Sequence, residues 1–254
     1  MSVQLVDAHL HLPTAGEVGE GVFLSMGQER NARLFVNSVN EEEWQEVLIL
    51  RYRYPTVTPF LGIHPWWAAG AREGWQERLA LAVRGVRAGL GEIGLDALAV
   101  ASTQCQEAVF IDQLALAEGM GLPVAIHCCR RWGRLLEIMS SILAGRARVI
   151  IHGFSGSQEV MWRLLNLGVM LSFGSALLNP ERRKVREAFE KVPIDRLLLE
   201  SDWSPRQQAA AGLSPPKEPG TTLVTIYHAA AVLRGIDEES LRAQLWCNAQ
   251  NLLP

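Results

Sequence analysis

The stretch Pro123–Phe173 reads PVAIHCCRRWGRLLEIMSSILAGRARVIIHGFSGSQEVMWRLLNLGVMLSF. Three short apolar runs, Pro123–Cys128, Arg148–Phe154 and Val169–Phe173, alternate with two longer stretches, Arg134–Leu143 and Ser157–Leu167, whose apolar residues recur at helical spacing. Strands alternating with helices pair in parallel through right-handed crossovers. The same rhythm runs outward in both directions. Strands are expected near Gln4–Leu12, Ala32–Val39, Thr56–His64 and Gly89–Leu95 before the stretch, and Arg196–Asp202 after it. Helices are expected at Glu41–Tyr54, Gln106–Met120, Pro180–Lys191, Thr222–Arg234 and Glu238–Leu245. Eight such strands predict a closed (β/α)8 TIM barrel, one domain spanning 1–254, with an open doubly wound sheet as the alternative. Trp203–Gly220, with four prolines, is the one irregular stretch and falls where a barrel places a loop over its active face.

Composition narrows the function. With 48% hydrophobic residues and a net charge of −3, the chain is a globular protein that does not grip nucleic acid by bulk charge alone. No apolar stretch is long enough to span a membrane. The start lacks the basic and apolar regions of a secretion signal. The four cysteines, Cys105, Cys128, Cys129 and Cys247, form no Cys-x-x-Cys pair. Together these predict a cytoplasmic protein, and nothing points to an obligate protein partner.

Five of the six histidines, His9, His11, His64, His127 and His152, fall at or near the C-terminal ends of expected strands. Such positions make up roughly a tenth of a barrel chain, so chance would place about one histidine there. Acids follow the same rule. Asp7, His9 and His11 alternate along one strand and are expected on one face. Glu92 interrupts an apolar strand, and Glu200 and Asp202 close the eighth. Ionised carboxylates inside a barrel are costly unless paired or bound to metal. Acids and histidines explain each other if divalent cations lie between them, the alternative being a buried network of hydrogen bonds and ion pairs.

At this level the chain resembles the TatD-type metal-dependent deoxyribonucleases, within the amidohydrolase-like barrels. The matching stretches are VDAHLHL from Val6, GIHPW from Gly62, GEIGLD from Gly91, LPVAIHC from Leu122, HGFSGS from His152 and LLLESD from Leu197, in order along nearly the whole chain. The resemblance implies metal ligation by His9, His11, Glu92, His127, His152 and Asp202, with Glu92 able to bridge two ions. It implies that His64 contacts the scissile phosphate. It also marks departures. Where members often carry Arg two residues after the strand-five histidine, this chain has Cys129, followed by Arg130 and Arg131. Ser201 replaces a common Thr, and Pro216–Pro219 replaces a frequent Arg-Asn-Glu-Pro.

Two divalent ions in such a site activate water and stabilise both oxygens of an in-line phosphoryl displacement. The nitrogen and oxygen donors suit Mg2+, Mn2+ or Zn2+. Asp202 is the expected general base and Glu92 its catalytic companion, with Asp7 and Glu200 orienting ligand histidines. Asp96 is read either as a further orienting group or as the start of a loop. Cys128 and Cys129 read as small fillers, and His228 as structural or exposed. Trp66, Trp67, Trp132 and Trp203 follow strand ends and either stack on bases or cap the barrel mouth. Arg182, Arg183, Lys184 and Arg186 open a helix whose dipole disfavours them there, which phosphate attraction would explain as well as a solvated face. Gly153–Ser157 ends near a helix start that could hold an anion. Trp66, His64 and Arg130 are the candidate substrate contacts. The leading expectation is a deoxyribonuclease trimming single-stranded or frayed DNA ends. The alternatives are another hydrolase on this scaffold, acting on a small ester, amide or phosphoester, and a non-catalytic component of an assembly.

Overall fold

A computed structural model describes residues 4–13, 31–143, 148–205 and 219–253, with the side chains of 219–221 left out. Eight strands form one sheet in sequential order, every neighbouring pair parallel: β1 (Leu5–His11), β2 (Ala32–Asn37), β3 (Val57–Leu61), β4 (Gly89–Asp96), β5 (Val124–Cys129), β6 (Val149–Ile151), β7 (Met170–Phe173) and β8 (Leu197–Leu199). Beyond β8 the backbone closes the ring: Asp202 N–H donates to the His9 carbonyl at 3.0 Å, and His11 N–H donates to the Trp203 carbonyl at 2.8 Å. The expected (β/α)8 barrel is the observed fold, and the open sheet is excluded.

The described helices are α1 (Trp44–Arg53), α2 (Trp75–Val83), α3 (Thr103–Met120), α4 (Trp132–Ile142), α5 (Gln158–Asn166), α6 (Arg183–Lys191), α7 (Pro219–Arg234) and α8 (Glu238–Leu252). Local chemistry sets their ends. Asn40 caps a 3-10 turn, Glu41–Glu43, ahead of α1 by accepting from Glu43 N–H at 3.1 Å, and the Glu43 carboxylate accepts from Val39 N–H at 2.9 Å. Helices α3 and α7 begin three residues before the expected Gln106 and Thr222, and three others differ as well. Helix α2 has no counterpart in the sequence reading, although Trp75, Leu79 and Val83 are buried at helical spacing. Helix α6 begins three residues after Pro180, and α8 runs on to Leu252. The stretch 206–218 of the expected irregular loop lies outside the described residues.

The core has two parts. One fills the space between strands and outer helices, with Leu10, Leu34, Phe110, Met161, Phe189 and Tyr227 among its members. The other fills the barrel toward the strand N-termini: Val6, Ala8, Phe35, Phe60, Ala125, Ile150, Met170 and Leu198, sealed by Ala249, Leu252 and Leu253 from the end of the chain. Asn248 fixes this seal by donating to the carbonyls of Ile194 and Leu197 at 2.7 and 2.8 Å. Each large apolar side chain buried here contributes about 1.5–3 kcal/mol.

Candidate metal centre

The opposite end of the barrel is polar, and a bulge in β1 sets it up. Asp7 sits opposite Leu34 but Leu10 opposite Val36, so three steps on β1 match two on β2. The extra residue reverses the alternation. Val6 and Ala8 fill the barrel below it, while His9 and His11 turn inward above it and Leu10 joins the outer core. Asp7 is thereby separated from the histidines whose face it was expected to share. Its carboxylate accepts from Ser201 N–H at 2.9 Å and from Ser201 Oγ–H at 2.6 Å. Burial pushes Asp7 up to about 7, against those hydrogen bonds. Its job is to clasp β1 to the end of β8; it touches no histidine ring.

Strand β4 delivers the central carboxylate. It lies so close to its neighbours that a side chain at Gly91 would meet Asn37 Oδ1 at 2.7 Å and Ala125 Cβ at 2.8 Å, which explains the glycine before Glu92. Five histidines surround Glu92. Its Oε2 lies 3.4 Å from His9 Nε2 and 3.3 Å from His11 Nε2. Its Oε1 lies 2.8 Å from His152 Nε2, 3.0 Å from His127 Nδ1 and 3.4 Å from His64 Nε2. Burial works to raise the Glu92 pKa, but the surrounding histidines outweigh it and hold the carboxyl well below the usual range.

The partner on the far side of the ring sets which nitrogen carries the proton in His11, His127 and His152, whereas His9 Nδ1 has no hydrogen-bond partner among the described residues. His11 Nδ1 faces the Asn37 carbonyl at 3.1 Å, so its Nε2 presents a lone pair to the cluster. His127 Nε2 faces Asp96 Oδ2 at 3.2 Å, leaving Nδ1 to point inward. His152 Nδ1 faces Glu200 Oε1 at 3.4 Å, leaving Nε2 inward. His64 has the opposite polarity: its Nδ1 accepts from Trp66 N–H at 3.2 Å, so its Nε2 is a donor. Burial lowers His11 to about 3, against the pull of Glu92, and lowers His64 as well. Burial also works to lower His127 and His152. There the carboxylates win, Asp96 and Glu92 for the first and Glu92 and Glu200 for the second, and both pKa values rise. Those protons occupy the inward positions that a cation would take.

Ring nitrogens therefore converge head to head, His9 Nε2 on His11 Nε2 at 3.3 Å and His127 Nδ1 on His152 Nε2 at 3.0 Å, with one carboxylate between the pairs. This donor set fits divalent cations. Among the described residues three groups of ligand atoms could each hold an ion: His9, His11 and Glu92; His9, His152 and Asp202; and His64, Glu92 and His127. Distance alone admits His64 to the third group, and its proton on Nε2 sets it apart from His11, His127 and His152.

The remaining candidates fall into place around this centre. Asp202, in a left-handed conformation (φ 50°) that Asp tolerates, lies at the mouth with its side chain half exposed and Oδ1 3.9 Å from His11 Nε2. Glu200 is fully buried and also accepts from Gly153 N–H at 2.6 Å, so that N–H is not free to hold an anion. Asp96, which the sequence left between two roles, is a buried partner of His127. Trp66 is exposed, with Nε1 donating to Asp96 Oδ2 at 2.6 Å. Arg130 is exposed at the end of β5 with φ 56°. Trp132 packs on Phe154 and Trp203 is buried, so these two belong to the mouth of the barrel. Arg182, Arg183 and Lys184 are exposed at the start of α6, while Arg186 donates to the Leu177 carbonyl at 2.9 Å. His228 is exposed and faces Glu238, away from the site. Cys128 is buried and its thiol is pushed up to about 12 by burial, which makes it a filler.

A parallel barrel with a histidine–carboxylate cluster at the strand C-termini defines a metal-dependent hydrolase scaffold. The chain matches the TatD related DNase family over residues 6–254 and belongs to that family. It is 32% identical over 228 residues to the 3′-5′ ssDNA/RNA exonuclease TatD of Erwinia tasmaniensis, covering 86% of this chain and 87% of that one. It is 29% identical to the uncharacterized metal-dependent hydrolase YjjV of Escherichia coli, over 80% of each chain. The crystal structure of Escherichia coli YjjV superimposes with a TM-score of 0.83 at 25% identity, covering 98% of this chain and 97% of that one. No described helix is long and apolar enough to cross a membrane.

Proposed function

We propose that the protein is a metal-dependent exonuclease that removes nucleotides from single-stranded DNA or RNA ends in the 3′ to 5′ direction. The observation that carries this reading is the bridging position of Glu92, one oxygen toward His9 and His11 and the other toward His127 and His152. The names of the TatD relatives support the substrate and the polarity. His9, His11, Glu92, His127, His152 and Asp202 would hold two divalent ions, Mg2+, Mn2+ or Zn2+. When bound, such ions lower the pKa of water and neutralise charge that develops on the phosphate.

The chain's own residues do the rest. Asp202, half exposed at the mouth, accepts the proton of the attacking water. Glu200 and Asp96 fix the rings of His152 and His127 from behind. His64 donates its Nε2 proton to a phosphate oxygen, which the neutral, Nε2-protonated ring suits. Arg130 and the exposed cations of α6 draw in the backbone, and Trp66 meets the nucleotide. The four free cysteines support a reducing, cytoplasmic setting for this single catalytic unit.

The test is digestion of 5′-labelled single-stranded DNA with Mg2+ or Mn2+, with and without EDTA. Stepwise shortening from the 3′ end that EDTA abolishes is the expected result, and an intact substrate under all conditions overturns the reading. His64→Ala sharpens it. Metal content should stay unchanged and DNA digestion should fall about tenfold, as for one charge-assisted contact. Hydrolysis of a small activated ester should fall less. Loss of metal in this variant would make His64 a ligand.

A further inference from the structure

Trp66 is an expensive residue to leave in solvent: 59% of it is exposed, beside a buried ionic cluster. Its placement is nonetheless tightly controlled. The backbone N–H of Trp66 donates to His64 Nδ1, and the ring Nε1–H donates to Asp96 Oδ2 at 2.6 Å. Asp96 itself is only 3% exposed, and the same oxygen faces His127 Nε2. The other Asp96 oxygen accepts from the Leu98 backbone N–H at 2.7 Å, so the same carboxylate also fixes the loop that follows β4. The indole is thus held by its edge, its polar atom already satisfied. The His64 and Trp66 rings lie side by side at the mouth, with centroids 5.8 Å apart and planes inclined at 73°. Trp67, next along the turn, serves a different surface. It lines a separate cavity of about 230 Å3 with Asn40, Ile63 and the acids Glu41 and Glu42.

We infer that Trp66, locked by Asp96, is the platform on which the base of the terminal nucleotide stacks while His64 engages its phosphate. This rests on the exonuclease reading and names the subsite that selects the substrate within it. Aromatic stacking accepts any base and ignores the sugar, so the platform reads whether the terminal base is present and unpaired, and reads ribo- and deoxyribonucleotides alike.

The experiment compares two 5′-fluorescein single-stranded DNA probes, identical except that one ends in a normal 3′ nucleotide and the other in an abasic one. Binding is followed by anisotropy in EDTA, so that no probe is cut, and digestion is followed separately with Mg2+. The wild type should bind the base-bearing probe roughly tenfold more tightly, the scale of one base–aromatic stack. Trp66→Leu should abolish that preference by weakening only the base-bearing probe. Trp66→Phe, which keeps a ring but loses the Asp96 hydrogen bond, should retain only part of it. In digestion the effect of Trp66→Leu should fall on KM more than on kcat. Equal binding of both probes by the wild type, or an equal loss for both probes in Trp66→Leu, overturns the inference even if the wild type still digests DNA. A wild type that neither binds nor digests either probe overturns the exonuclease reading instead. Because Trp66 is exposed, an unchanged melting temperature in the variants confirms that folding is not what changed.

Discussion

At the strand N-termini, the barrel interior holds Phe35, Phe60, Ile150, Leu198 and the tail residues Leu252 and Leu253. At the strand C-termini, only two residues beyond Ile150 and Leu198, it holds His9, His11, Glu92, His152 and Glu200, every one of them buried. Both ends exclude water about equally. The apolar end gains from that exclusion at roughly 25 cal/mol per Å2, whereas each ionised group at the polar end costs free energy until a partner offsets it. Stability and reactivity therefore occupy opposite ends of one container. The apolar end can support the polar end because they share the same strands.

Variants at each end should fail in different ways. The largest effect is expected for Glu92→Ala, which removes the shared carboxylate. Activity should fall about 10⁴-fold, the several kcal/mol that bound metal supplies, and elemental analysis should find both ions depleted. Full metal content in this variant would break the bridging assignment. Next comes Phe60→Ala at the apolar end, expected to cost about 3–5 kcal/mol in denaturant unfolding while leaving metal per folded molecule unchanged. Metal loss without loss of stability there would erase the division between the ends. Asp202→Asn should then lower turnover by about 10² with little change in the unfolding midpoint.

The smallest effect lies at the start of α8, whose far end seals the apolar core. Asp237 caps this helix by accepting from Ser240 N–H at 2.9 Å, and the hydrogen bonds hold its carboxyl below the ordinary value. A depressed folded pKa means that the contribution is present above the unfolded pKa and is lost as pH falls through the folded one. Asp237→Ala should thus lower the melting temperature by about 2 °C at neutral pH, and the difference from wild type should vanish in strong acid. A difference that persists there would assign the effect to packing.

Much of this was legible in the sequence, and the reasons are local. Strand and helix periodicities survive without tertiary information, so the alternation around Pro123–Phe173 exposed the barrel. Histidines at strand ends are chemically conspicuous in apolar runs. The misses are non-local. The β1 bulge that sends Asp7 to Ser201 depends on how β2 pairs with it, and no residue of VDAHLH announces it. Asp96 gains its role only because β5 brings His127 alongside. Helix α2 was hidden because Gly74, with φ 74° and no side chain, stands where a Ser or Asp would signal a start. The reach of α8 past Leu245 shows only in the burial of Ala249 and Leu252 against the barrel floor.

The clasp between Asp7 and Ser201 has a consequence for how the protein is made. Its partners are 194 residues apart, whereas Asp96 and His127 are separated by 31. At about 0.6 kcal/mol per doubling of loop length, bringing the distant pair together costs about 1.6 kcal/mol more in chain entropy. During synthesis the histidines of the first strand leave the ribosome long before Asp202 and Ser201 exist. Glu92 and His127 are both made before the sixth strand, but the group His9, His152 and Asp202 awaits the residues beyond the eighth. Asp202, proposed to serve as both ligand and general base, thus arrives after the other five residues of the centre, which is incomplete until the ring shuts.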